Sequence, residues 1–377
     1  MIKRATILNH FIGLIILFPV IFSFIFEISG ISIPSYLFVV IILLIILPFT
    51  VSNFLTISKS SLKFTFYVFF IWILSSIIYT PSVIASQDKF IYILYLIIIP
   101  VIIIEFFFLF SKTSNIEIKT LEAHLLRYSY VLIWFIFFAY LLFRTEDAGG
   151  RYSLPGIDNV IWLSRYVGML LLIILCCDKF KKSNSILYGL STIIGIILLL
   201  GIGSRQSFFA VLIVFLIKQS NFVSKKKMFF QTIGIVFFIA IGYLLVGGYV
   251  FETNFYSIYA RLDLYNLFVD YDFDYLIGSG IGSYSLNFGK DVIFYPHNIF
   301  LELFFENGLI GVLLFCLILY FFISPLKNNI ISYLVIYYFI VSLVSSDIPG
   351  NNNLFILLFL SAYVNDRYSV KSNIVKL

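Results

Sequence analysis

Apolar residues run along this chain in long blocks separated by short polar breaks, and the blocks set the first expectation. Runs rich in Leu, Ile, Phe and Val cover about 10–28, 34–56, 64–81, 90–110, 128–144, 158–177, 186–201, 206–219, 229–250, 308–324, 329–346 and 353–365. A helix needs about 20 such residues to cross roughly 30 Å of hydrocarbon, and most of these blocks approach or reach that length. They predict an all-α polytopic integral membrane protein with about 12 transmembrane helices. Polar sequence concentrates in two breaks, 145–159 and 251–295. The second, between the ninth and tenth predicted helices, far exceeds the usual connection of about 4–6 residues, and ordered loops of that size are usually functional. Within it, 256–269 can form an amphipathic helix carrying Arg261. The acidic run Asp270, Asp272, Asp274 and the glycine-rich Gly278-Ser279-Gly280-Ile281-Gly282 follow. No repeat of about 20–50 residues divides the chain, so 1–377 reads as a single transmembrane domain.

Composition agrees: 61% of residues are hydrophobic and 12% charged, with a mean hydropathy of +1.06, beyond an ordinary soluble domain. Lys3 and Arg4 before the first run suggest a signal peptide, but no small-residue cleavage site follows, so a retained first helix is expected. Of the 25 Lys and Arg residues, only Lys89, Arg144, Arg151, Arg165, Arg205, Arg261 and Lys290 fall on one side of the drawing. Cytoplasmic loops hold the excess of Lys and Arg, which places both termini in the cytoplasm and both long loops outside. The net charge of +6 is then an orientation signal. No basic and aromatic motif points to nucleic acid, which is not an expected partner. Cys176, Cys177 and Cys316 fall inside spans, without disulfide or metal spacing.

The candidate chemistry lies on the outer side. Arg165 sits about two turns into the sixth span, where an arginine is costly; it either snorkels to the interface or binds an anion in a cavity. Arg205 lies between two short apolar segments whose far ends are both basic, so the chain must reverse there. Those segments span roughly 20–24 Å at 1.5 Å per residue, short of the core, which puts the turn below the outer surface. Such a break is tolerated inside protein or beside water. The amides of the helix starting at Gln206 would then join the Arg205 guanidinium as an anion site. The alternative is one continuous helix across 186–217.

His297 is the outer-side group that titrates near neutrality, suited to acid–base work; a structural hydrogen bond is the other reading. His10 and His124 fall near the cytoplasmic face, so no histidine zinc cluster is expected. Glu302 and Glu306 share a helical face directed away from His297, toward neighbouring helices or loop donors. The three aspartates form either a divalent-metal site or a solvated loop edge. The glycines lack the βαβ context of a dinucleotide fingerprint.

These residues resemble the O-antigen polymerase (Wzy-type) and O-antigen ligase superfamily of bacterial surface-polysaccharide enzymes. His297 and Asn298, followed after nine residues by Gly308 and Gly311, match its re-entry motif. Gly203-Ser204-Arg205 is similar to its Ser-Arg turn, although Gln206 stands where a small residue is usual. Arg261-Leu262-Asp263-Leu264-Tyr265 with the glycine turn, and Arg151 in Gly149-Gly150-Arg151, look like its outer-loop arginines. The resemblance covers roughly 145–325.

It implies a GT-C-like fold in the bacterial inner membrane, with an active site facing the periplasm. The implied activity transfers an undecaprenyl-diphosphate-linked glycan to an acceptor hydroxyl, with His297 and Arg205 catalytic. Arg151, Arg165, Arg261 and Asn298 would bind diphosphate or substrate. No cofactor and no metal are implied; the expected partners are the lipid-linked oligosaccharide, membrane lipid and a chain-length regulator protein. Polymerase is the first expectation and ligase to lipid A-core the second. A flippase is a third, although the halves of the chain differ where many transporters repeat.

Overall fold

The computed structural model describes residues 9–17, 61–82, 84–111, 118–146, 152–154, 160–177, 185–203, 205–220, 273–288, 295–323, 328–344 and 347–374. The expected spans 34–56 and 229–250, most of 10–28, and the residues Arg151, Arg261, Asp270 and Asp272 lie outside them.

Blocks this apolar cannot leave backbone groups open to lipid, and the helix satisfies each within its own segment. The elements are α1 (Ser61–Ser75), α2 (Ile84–Ile93), α3 (Ile99–Ser111), α4 (Ile118–Phe143), α5 (Val160–Cys176), α6 (Ser185–Ile202), α7 (Arg205–Ser220), α8 (Ile299–Ile323), α9 (Ile330–Ser342) and α10 (Asn352–Ile374). Among the described residues, Ser61–Ile78, Ile84–Phe106, Ile118–Phe143, Ser185–Ile202 and Ile299–Ile323 are long and apolar enough to cross a membrane. The protein is mostly helical and membrane-embedded. A hairpin of two-residue strands, β1 (Thr145–Glu146) with β2 (Tyr152–Ser153), opens the shorter polar break. A π turn at Leu94–Ile98 joins α2 to α3. Pro100 follows it, and a proline can neither donate to nor pack against the carbonyl four residues back, so the widened turn accommodates the ring.

The chain divides into two compact units, Met1–Tyr128 with Asp272–Leu377, and Ser129–Tyr271. In the first, α1, α8 and α10 meet through phenylalanines: Phe69 lies 5.8 Å from both Phe315 and Phe355, and Phe66 lies 5.2 Å from Phe359. In the second, α5 is buried along its length against α6 and α7. Gly195 permits the close approach: a Cβ there would come within 2.9 Å of Ile133 and Leu171 side chains.

Three helices depart from the expected spans in the same way. α2 starts at Ile84, α4 at Ile118 and α8 at Ile299, each well before the apolar block begins. Charged residues mark the edge of an apolar block, yet they do not end a helix when the side chain finds a partner. Lys63 and Lys89, both expected in loops, and Lys218, at the end of an expected span, are buried in α1, α2 and α7. Lys63 pairs with Glu105 at 3.6 Å and sits 3.4 Å from the Tyr363 ring centroid, while Tyr67 donates to Glu105. Lys218 donates to the terminal carbonyls Leu175 O and Cys176 O of α5, as cations commonly do at helix C-termini.

Candidate functional site

The second unit contains the expected arginine turn. Ser164 on α5 and Ser207 on α7 share a hydrogen bond of 2.9 Å near the helix starts, and Lys218 binds the carbonyls that end α5. α5 and α7 therefore run parallel, and α6 must return between them. The reversal falls at Gly203, with φ 74°, which rules out the continuous helix across 186–217. Arg165 follows Ser164 and Arg205 opens α7 two residues before Ser207, so the serine bond brings the two arginine-bearing backbones to one level. Arg165 is 3% exposed, and Arg205 is exposed at the first position of α7. A cation there opposes the helix dipole, so Arg205 is not placed for helix stability. Arg144, at the end of α4, instead lies 4.7 Å from the Tyr152 ring.

In the first unit His297 occupies the left-handed backbone region, φ 58°, an uncommon conformation in which histidine is enriched. Its half-buried ring meets Tyr295 edge-on at 4.8 Å. Asn298 then caps α8: its Oδ1 accepts from Phe300 N and Leu301 N, and its Nδ2 donates to Leu343 O at 3.0 Å. The carboxamide expected to bind substrate thus holds the His297 turn against the end of α9.

α8 is broken at Gly308, φ 64° and ψ −167°. The glycine-rich segment closes the break. Ser279 N and Gly280 N donate to Phe305 O and Glu306 O, and Leu309 N and Ile310 N donate to Tyr275 O and Leu276 O. Trp72 Nε1 donates to Asn307 O at 3.1 Å. These bonds replace the intrahelical ones that the break removes. A Cβ on Gly308 would lie 2.2 Å from Leu276 O, and one on Gly278 would lie 2.5 Å from Asn307 N. Ser76 Oγ, Thr80 Oγ1 and Tyr79 OH bind Ile281 N, Ile281 O and Ile277 O, tying the segment to the α1–α2 connection. These glycines seal a joint between helices. Asp274, one of the three expected acidic-edge residues, turns the chain by accepting from Leu276 N and Ile277 N.

Glu302 and Glu306 do meet a neighbouring helix. Lys89 Nζ donates to Glu302 Oε1 and to both oxygens of Glu306, at 2.8 and 2.7 Å. Glu302 Oε1 also accepts from Ile348 N at 3.1 Å. Lys89 is the partner that sequence reasoning missed. One signal could have found it: two membrane carboxylates four residues apart require a cation, and Lys89 borders an apolar block. The His10 and His124 rings lie tilted at 33° with centroids 3.4 Å apart, and His10 bonds Tyr128 OH. Among the described residues, no group of three or more His, Cys, Asp or Glu side chains is arranged for a metal ion. No protein-family model and no curated protein matches this chain.

Proposed function

We propose that this protein is a membrane glycosyltransferase of the O-antigen polymerase type. It joins an undecaprenyl-diphosphate-linked glycan to the hydroxyl of another lipid-linked repeat unit at the periplasmic face of the inner membrane. The observation that supports this most is the arginine turn, where the Ser164–Ser207 bond sets Arg165 and Arg205 at one level of one unit. A buried arginine beside a helix N-terminus that already carries an arginine suits a multiply charged anion, and diphosphate is such a leaving group.

In the reaction the bond from sugar C1 to the diphosphate oxygen breaks and the acceptor oxygen takes its place. Arg165 and Arg205, joined by Arg151 and Arg261, stabilise the charge that develops on the departing diphosphate, commonly the largest catalytic contribution. His297 takes the proton of the acceptor hydroxyl, and the Asn298 cap fixes the turn that carries it. About twelve spans in a GT-C-like arrangement, with both termini cytoplasmic, complete the proposal.

The test is the banding pattern of surface polysaccharide after gene deletion and complementation. Loss of a polymerase leaves single repeat units on lipid A-core; bare lipid A-core would make the protein a ligase. Complementation with Arg205→Ala or His297→Ala should restore no long chains although the variants reach the membrane, and normal chains from either would remove that residue's role. A transporter reading has one observation in its favour, the discontinuous α8 with charges beside its break. Purified protein that extends lipid-linked glycan unaided would end it.

A further inference from the structure

Charge does not balance around Lys89. Its ammonium is acted on by three carboxylates: Glu302 and Glu306 of α8, and Asp347 in the turn before α10. Lys89 is 1% exposed, Glu302 and Glu306 are 0% and Asp347 is 6% exposed. Three anions around one cation leave a surplus of negative charge, which the ion pair of Lys63 with Glu105, one cation and one anion, does not have. Burying an uncompensated carboxylate is costly even after relaxation, and such a group takes up a proton instead. The described elements packed here offer little else: Asp88 is exposed on α2, Ser82 and Ser86 are neutral, and Asn351 to Asn353 are neutral. His297 heads α8, five residues before Glu302.

The hydrogen bonds select the oxygen. Both oxygens of Glu306 accept from Lys89, and Oε1 of Glu302 accepts from Lys89 and from Ile348 N. None of these three can carry a hydrogen toward its donor. Asp347 Oδ1 accepts from Gly350 N at 2.9 Å. Oε2 of Glu302 is buried and has no hydrogen-bond partner among the described residues. An anionic oxygen there would be unsolvated. A neutral O–H there is far less costly even if unbonded, and less still beside one buried water.

We propose that the Lys89, Glu302, Glu306 and Asp347 cluster is a proton-binding site inside the membrane-embedded unit, with one exchangeable proton on Oε2 of Glu302. The proton comes from solvent, adds to the carboxylate oxygen and leaves the Lys89 bonds in place. The inference does not depend on the transferase reading.

Infrared spectroscopy of the purified full chain in an ester-free detergent at neutral pH tests it. A protonated-carboxyl C=O band should be present, shift when H2O is exchanged for D2O, and disappear in Glu302→Gln. Size-exclusion chromatography checks that the variant is folded. Carboxyl-13C labelling of the wild type supplies an arm that needs no variant: the band should move with labelled glutamate and stay put with labelled aspartate. The proposal is overturned if the wild type shows no such band, if the band survives in folded Glu302→Gln, or if it moves only with labelled aspartate.

Discussion

The two helix interruptions use the same device, a glycine with positive φ, and finish it in opposite ways. At Gly308 every bond described across the break is made by protein: the 275–280 segment and Trp72 take up the freed carbonyls and amides. At Gly203 the next helix begins with an exposed arginine, and the neighbouring helix brings a second arginine to the same level. A break sealed by backbone is a joint, whereas the break flanked by arginines on two helices is where the proposed anion would bind. The glycine-rich stretch, prominent in the sequence, belongs to the joint.

Substitutions can separate the two. Gly308→Ala should have the largest effect, above about 4 kcal/mol, because its Cβ would lie 2.2 Å from Leu276 O. The readout is loss of a monodisperse peak in detergent; a well-folded Gly308→Ala protein would show that the seal is not what holds α8. Lys89→Met should cost about 3–5 kcal/mol by leaving buried carboxylates without their cation, read as a lowered melting temperature. Adding Glu306→Gln to Lys89→Met should restore part of it. Trp72→Phe removes one bond from the seal and should cost about 1 kcal/mol. Arg205→Ala should change stability by no more than about 0.5 kcal/mol, toward stabilisation, since a cation leaves a helix N-terminus. A destabilised Arg205→Ala protein would make the arginine turn structural too.

Legibility in the sequence follows the range of the forces. The reversal at 203–205 could be read because it rests on local quantities, two short apolar segments with basic far ends. The orientation of Glu302 and Glu306 toward a neighbouring element was also readable, since an i,i+4 pair shares a face. The Gly308 break was not, because Glu302, Glu306 and Asn307 before it make the segment look like loop leading into a span, and hydropathy does not register a change of backbone direction within a helix. Asn298 is an N-cap residue type, but the expected span began ten residues later, so its capping role was hidden. Lys89 was misplaced because its partners lie 213 and 217 residues away, beyond the reach of any periodicity.

That separation carries a consequence for biogenesis. Ribosomes deliver roughly 5–20 residues each second, so α2 enters the membrane about 10–40 s before Glu302 exists. A lysine inside a segment costs up to about 2.5–3.5 kcal/mol on insertion scales, and during that interval nothing from α8 offsets it. The nascent helix must therefore wait at the bilayer surface or within the insertion machinery, and it seats fully when α8 arrives. Chains truncated before α8 should leave Lys89 reachable by water-soluble amine reagents, while full-length chains protect it.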